Sequence, residues 1–212
     1  MSITLIITFI TGYISYQAFT NYSLREKLIF HPYSISNNQQ YYRFFTHGFI
    51  HADWNHLLIN LFVLYQFGIQ IETILNQILG PFIGLVIFIT FYLSAIALAT
   101  LPTYFRNISN PSYSALGASG ATSALVFAHI LFDPWGWFIF PPLPALVFGF
   151  AYLWYSSYMD RKGSDLIGHN THFWGALYGI FFLIATMGWL RPEMLLFFLG
   201  QLISGPQPPP FF

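Results

Sequence analysis

The chain has 212 residues, of which 56% are hydrophobic, 21% aromatic and only 7% charged, with a formal net charge of zero. A soluble domain carries about 25% charged residues; this composition, with a mean hydropathy of +0.58, points to a lipid-facing protein and gives no electrostatic case for nucleic acid. The absence of cysteine excludes disulfides, thiolate catalysis and cysteine-ligated metal.

Six apolar stretches predict an all-α, polytopic membrane protein, a six-helix bundle in one domain over residues 1–205. The first span covers about 3–20; it lacks a basic n-region and an A-x-A-like cleavage site and reads as a retained helix. Connection 21–52 holds Pro32 and aromatics such as Tyr41, Tyr42, Phe44 and Phe45, and is expected to be a structured loop partly embedded in the interface. The second span, about 53–74, opens on Asp53, a good N-cap. Pro81 suits the first turn of the third, about 81–102. The fourth, about 119–133, stops before Pro134, and the fifth covers about 144–159. A polar connection, 160–170, is expected to be mobile before the sixth span, about 171–190, which ends at Arg191-Pro192. Residues 194–203 are too short to span and are expected at the interface. Residues 206–212 form a short, irregular, proline-rich tail, and no internal repeat is visible.

Parity then sorts the polar residues. In a six-span bundle, spans two, four and six start on the same membrane face. His56 and Asn60 lie at the start of the second, Ser119 at the start of the fourth and His172 at the start of the sixth. The groups most able to do chemistry share one face at similar shallow depth.

Ser119 sits in Gly117-Ala118-Ser119-Gly120. A serine hydroxyl becomes a nucleophile once a base takes its proton. A helix N-terminus adds open N–H groups and partial positive charge, which suit an oxyanion. The plainer reading is a small-residue packing face, and the motif is not the Gly-x-Ser-x-Gly elbow of soluble hydrolases. His172, Gly175 and Gly179 share one helix face at i, i+3 and i+7. The glycines permit the close helix approach that a Ser–His hydrogen bond needs, and a neutral imidazole accepts a proton near pH 7. The alternative is an interfacial histidine bonded to a loop, with His169 as a rival base.

His56 and Asn60, at i and i+4, face the same way and can donate to developing negative charge or act as an interhelical clamp. His47 and His51 also stand four apart, and with His169-x-x-His172 they faintly resemble the histidine boxes of membrane di-iron desaturases. Seven histidines scattered in this way supply too few ligands, and Gly117–Gly120 would stay unexplained, so no metal and no cofactor are expected. Glu72, late in the second span, is expected near the opposite face, bonded to loop or helix-end groups.

Taken together, these motifs resemble the rhomboid intramembrane serine proteases of the six-helix bacterial type. The resemblance covers roughly residues 24–178: Arg43-Phe-Phe-Thr-His47, His51, His56-Leu-Leu-Ile-Asn60, Gly68 and Glu72, Gly117-Ala-Ser119-Gly120, and His172-Phe-Trp-Gly175-Ala-Leu-Tyr-Gly179. It implies a Ser119–His172 dyad, an oxyanion hole of His56, Asn60 and the Ser119 N–H, and supporting roles for Arg43, His51 and Glu72. The implied partners are single-span membrane-protein substrates and the bilayer, with no nucleic acid and no metal. Many family members carry an aromatic residue four positions after the nucleophile, stacked on the histidine; here that position is Ser123, so the orientation of His172 comes from elsewhere.

The odd loops hold Arg25, Lys27, Arg43, Arg106, Arg161 and Lys162, against Arg191 on the other side. The positive-inside rule would place the odd loops in the cytoplasm. The resemblance implies a bacterial inner membrane with those loops, and the active site, at the outer face. The alternative function is a catalytically silent rhomboid-like protein that binds transmembrane helices, against which stands the presence of both Ser119 and His172. A transporter or metal-dependent oxidase explains only the polar residues.

Overall fold

The computed structural model describes residues 2–138, 141–162 and 168–206. Of the connection expected to be mobile, 160–170, residues 163–167 lie outside the described residues, while 160–162 end one helix and 169–170 begin the next; the tail lies outside from 207 on. Eleven α-helices make up the described chain: α1 Ile3–Thr20, α2 Tyr22–Leu28, α3 Pro32–Asn38, α4 Arg43–Thr46, α5 Trp54–Leu79, α6 Pro81–Leu98, α7 Leu101–Asn107, α8 Ser119–Phe132, α9 Ala145–Lys162, α10 His169–Leu190 and α11 Glu193–Ile203. The long connection after α1 is built from α2, α3, α4 and a 3-10 turn, His47–Phe49. It exposes Tyr22, Tyr33, Tyr41, Tyr42 and Phe45, side chains that suit a membrane interface.

The helix α5 starts where Asp53 caps it, the carboxylate accepting the His56 N–H at 2.8 Å, and runs on to Leu79, five residues past the expected end at 74. Gly80, at φ +83°, makes the turn into α6. Four segments are long and apolar enough to cross a membrane: α1, α5, the α6–α7 stretch Pro81–Asn107, and α10. The expected count of six spans therefore divides. In α9, Asp160, Arg161 and Lys162 crowd the last turn. The 14 residues of α8 reach only about 21 Å, against a hydrocarbon core of about 30 Å.

That shortness is affordable because α8 is the central helix. It packs against α5, α6, α9, α10 and α11, and Gly120–Leu125, Phe127, Ala128, Ile130 and Phe132 are all buried. The helices around it turn large apolar side chains outward, among them Phe62, Phe82, Phe150, Phe181 and Trp189, as lipid-facing helices do. The helix α1 lies against α5 and the first loop and buries a face of Thr4, Ile7, Thr11, Ser15 and Ala18, with Ser15 and Ala18 on the loop. A Cβ at Gly68 would stand 2.7 Å from Thr4, so the two helices cross at that glycine. The short α11 folds back onto the bundle: Phe198 is buried against Phe132, and the Trp135 indole donates to the Leu202 carbonyl at 3.1 Å.

Candidate active site

The first loop supplies one wall of the site, and Arg43 holds that loop together. Its Nη1 donates to the carbonyls of Glu26 and Ile29, both at 2.7 Å, and its Nε to the Gln40 amide oxygen at 2.6 Å. Those carbonyls close α2, where a cation is well placed. The site next depends on His51, which is buried. Ser15 spends its hydroxyl hydrogen on the Phe49 carbonyl at 2.9 Å, so its oxygen accepts from His51 Nδ1 at 3.0 Å. His51 Nε2 is then an acceptor, and it takes the Ala118 N–H at 3.2 Å. The neutral Nδ1–H tautomer satisfies every member of this chain. Burial, reinforced by the nearby His56, pushes the His51 pKa down to about 3; burial likewise takes His47 down to about 4.

Through these bonds the first loop fixes the approach to α8. Gly117, at φ +116°, gives its N–H to the His47 carbonyl at 2.9 Å. A Cβ there would lie 2.6 Å from Cε1 and 2.9 Å from Nε2 of His56. Glycine is required twice over, for the backbone angle and for the imidazole packed against it. Ser119 follows as the first residue of α8 and is half-buried. The first intrahelical bond is Thr122 N–H to the Ala118 carbonyl. The amides of Ser119, Gly120 and Ala121 are thus the open donors of the helix start. Asn60, one turn below His56, donates from Nδ2 to the His56 carbonyl at 2.9 Å, and its Oδ1 accepts from the Thr122 hydroxyl at 3.0 Å. Both bonds orient the amide and leave one N–H of Nδ2 for another acceptor.

His172 reaches the same region from α10. A Cβ at Gly175 would lie 2.1 Å from the Gly120 carbonyl oxygen, one at Gly179 would lie 2.2 Å from that of Ala124, and one at Gly120 would lie 2.8 Å from Thr171. The helices touch main chain to main chain, which sets the Ser119 turn beside the His172 turn. His172 is half-buried, whereas His169 is buried with its ring edge-on to Tyr155 and to His172. A third helix completes the cluster: the Tyr152 ring of α9 stacks on His172, with centroids 6.3 Å apart and planes at 24°.

The sequence model of the rhomboid domain family matches residues 38–191, more than half of the chain and every residue of this cluster except Ser15. The chain belongs to the rhomboid family. It is also similar to Rhomboid-related protein 1 of Caenorhabditis elegans, at 31% identity over 150 residues, which covers 66% of this chain and 38% of that relative. The chain therefore spans well under half the length of the curated relative it matches. With its long apolar helices, this rhomboid-family protein is an integral membrane protein.

Within the rhomboid domain, the residues singled out in the sequence fall into two groups. Gly117, Ser119, Gly120, His51, His56, Asn60, His172 and Gly175 meet where α5, α8 and α10 begin. Glu72 lies elsewhere, at the start of α1. Its carboxylate accepts from the Ser2 hydroxyl (2.5 Å), the Ile3 N–H (2.9 Å), the Thr4 N–H (2.9 Å) and the Thr4 hydroxyl (2.6 Å). It is the N-terminal cap of α1, supplied from another helix. Gly179 lies a turn deeper than Gly175 along the α8–α10 contact. Among the described residues, no three side chains of His, Cys, Asp or Glu gather as a metal site. Three members of the cluster carry no motif of their own: Ser15, Thr122 and Tyr152. For Tyr152 a signal existed, because Ala145, Gly149, Tyr152 and Ser156 form a 4-3-4 stripe along α9. Half-buried itself, it is the one large residue in a row whose other members are small and buried.

Proposed function

We propose that this rhomboid-family protein is an intramembrane serine endopeptidase, cutting peptide bonds in or near the spanning segments of single-span membrane proteins. The observation that carries the reading is the glycine contact of α8 with α10, which sets the N-terminal turn holding Ser119 beside the turn holding His172. Serine and imidazole at adjoining helix ends suit acyl transfer. His172 takes the Ser119 hydroxyl proton as the oxygen attacks the scissile carbonyl. The tetrahedral oxyanion draws on the Ser119 N–H, the Asn60 Nδ2 and His56. His172 then returns the proton to the leaving amine, and water, activated by the same histidine, releases the acyl group from Ser119. A spanning helix has its peptide groups bonded internally, so the substrate must unwind before attack.

On this reading α8 and α9 are the fourth and fifth of six spans, in a single rhomboid domain over residues 1–205. The site opens to the outer face of a bacterial inner membrane. The Lys/Arg bias of the odd loops, with Arg191 alone on the other side, runs against that orientation. The test is cleavage of a single-span substrate co-reconstituted in liposomes: Ser119→Ala and His172→Ala should each abolish product while the protein stays folded. Cleavage retained in Ser119→Ala removes the serine mechanism.

A further inference from the structure

We propose that Tyr152 is the positioning residue for His172, its ring stacked on the imidazole and its hydroxyl tied through Ser123 to the main chain of Ser119. The inference rests on the Ser119–His172 reading and adds to it a residue from a different helix. The hydrogen bonds have a fixed direction. The Ser123 hydroxyl lies 2.7 Å from the Ser119 carbonyl oxygen and 2.6 Å from the Tyr152 hydroxyl. A carbonyl only accepts, so Ser123 donates to it, and Tyr152 must then donate to Ser123. The phenol is thereby anchored to the first turn of α8, the turn that starts with the nucleophile. Phe127 and Phe148 flank the ring at 5.8 and 5.9 Å and restrict its rotation. The imidazole stacks on a ring that is tied through Ser123 to the Ser119 carbonyl, so nucleophile and base are referenced to each other through α9 as well as through the α8–α10 glycines.

The residue type at 123 is part of the device. A small hydroxyl there accepts the phenol and leaves room for a ring arriving from α9. An aromatic side chain at 123 would occupy that room itself.

The experiment measures substrate turnover and the rate of Ser119 acylation by a fluorophosphonate in five forms of the full chain: wild type, Tyr152→Phe, Tyr152→Leu, Tyr152→Ala and Tyr152→Ala/Ser123→Tyr. Tyr152→Phe keeps the stack and should lose only several-fold in kcat. Tyr152→Leu should lose about 10–100-fold in kcat with KM little changed, the size of loss that misplacing a base produces. The double variant grows a ring into the vacated space and should recover most of what Tyr152→Ala loses. A merely structural role would not give recovery by moving the ring to another helix. Wild type acylated at Ser119 together with Tyr152→Leu acylated at the same rate, or a folded double variant no faster than Tyr152→Ala, overturns the role of Tyr152 and leaves the protease reading intact. Wild type that neither cleaves substrate nor is acylated overturns the protease reading and this inference with it.

Discussion

Gly175 of α10 crosses Gly120 of α8 so closely that a Cβ at 175 would stand 2.1 Å from the Gly120 carbonyl oxygen. No side chain is involved, so no rotamer change relieves the clash, and a larger residue must push the helices apart. Gly175→Ala and Gly179→Ala should therefore each destabilise the fold by at least about 1–3 kcal/mol, the usual cost of overpacking. Because Gly175 is the nearer of the two to Ser119, its variant should lose more activity per degree of lowered Tm. Thermal unfolding in detergent, alongside the acylation rate at a temperature where both variants are folded, measures the two effects separately.

Glu72 separates stability from activity. It stands sixteen residues after His56 on α5, about 24 Å along the helix axis, and binds four donors at the start of α1. Glu72→Ala leaves those donors without their acceptor, a loss of about 2 kcal/mol or more. The Tm should fall, and the kcat of the protein that remains folded should match wild type. A kcat loss at unchanged Tm would tie Glu72 to the chemistry instead.

His51 and His47 make stability depend on pH. Above the ordinary imidazole value near 6.5 neither the folded nor the unfolded chain carries charge on them, and the stability is fully present. As the pH falls from 6.5 toward 4, the unfolded chain binds protons that the folded chain refuses, because burial holds these two groups near 3 and 4. Stability should drop over that window by about 1.4 kcal/mol per pH unit for each histidine. Unfolding midpoints measured in detergent from pH 8 to 4 should show the slope, and His51→Gln should reduce it. Equal slopes in wild type and variant would show that His51 is not held neutral.

Asn60 holds one side of the oxyanion position in this account. Replacing it with Ala removes the Nδ2 donor and leaves the Thr122 hydroxyl without its Asn60 partner. Turnover should fall by about 10²–10³, with substrate binding little affected. A rate equal to wild type would make Asn60 only a clamp between α5 and α8.

How much of this was visible in the sequence depends on the kind of interaction. Helix starts set by local chemistry, such as Asp53 before α5 and Pro81 at the head of α6, could be read directly. Motif order also carried the family, which the match over 38–191 shows. The span count was less secure. Hydropathy cannot tell that α8 is central and so tolerates being shorter than the bilayer, nor that aromatic, charge-tipped α9 lies beside it. The first loop looked structured, but its helices rest on Arg43 reaching carbonyls 14 and 17 residues back. No local pattern encodes that. Ser123 marked a gap in the sequence; the residue that fills it is 29 positions away on another helix.

The central claim is that Ser119 is an activated nucleophile, and covalent labelling tests it most directly. Purified protein in detergent or lipid is treated with a fluorophosphonate and measured by intact mass, with tryptic mapping of the adduct. The account predicts one adduct, on Ser119, abolished in Ser119→Ala and slowed at least about 10²-fold in His172→Ala. No adduct on the folded protein, or an adduct that persists in Ser119→Ala, would contradict it.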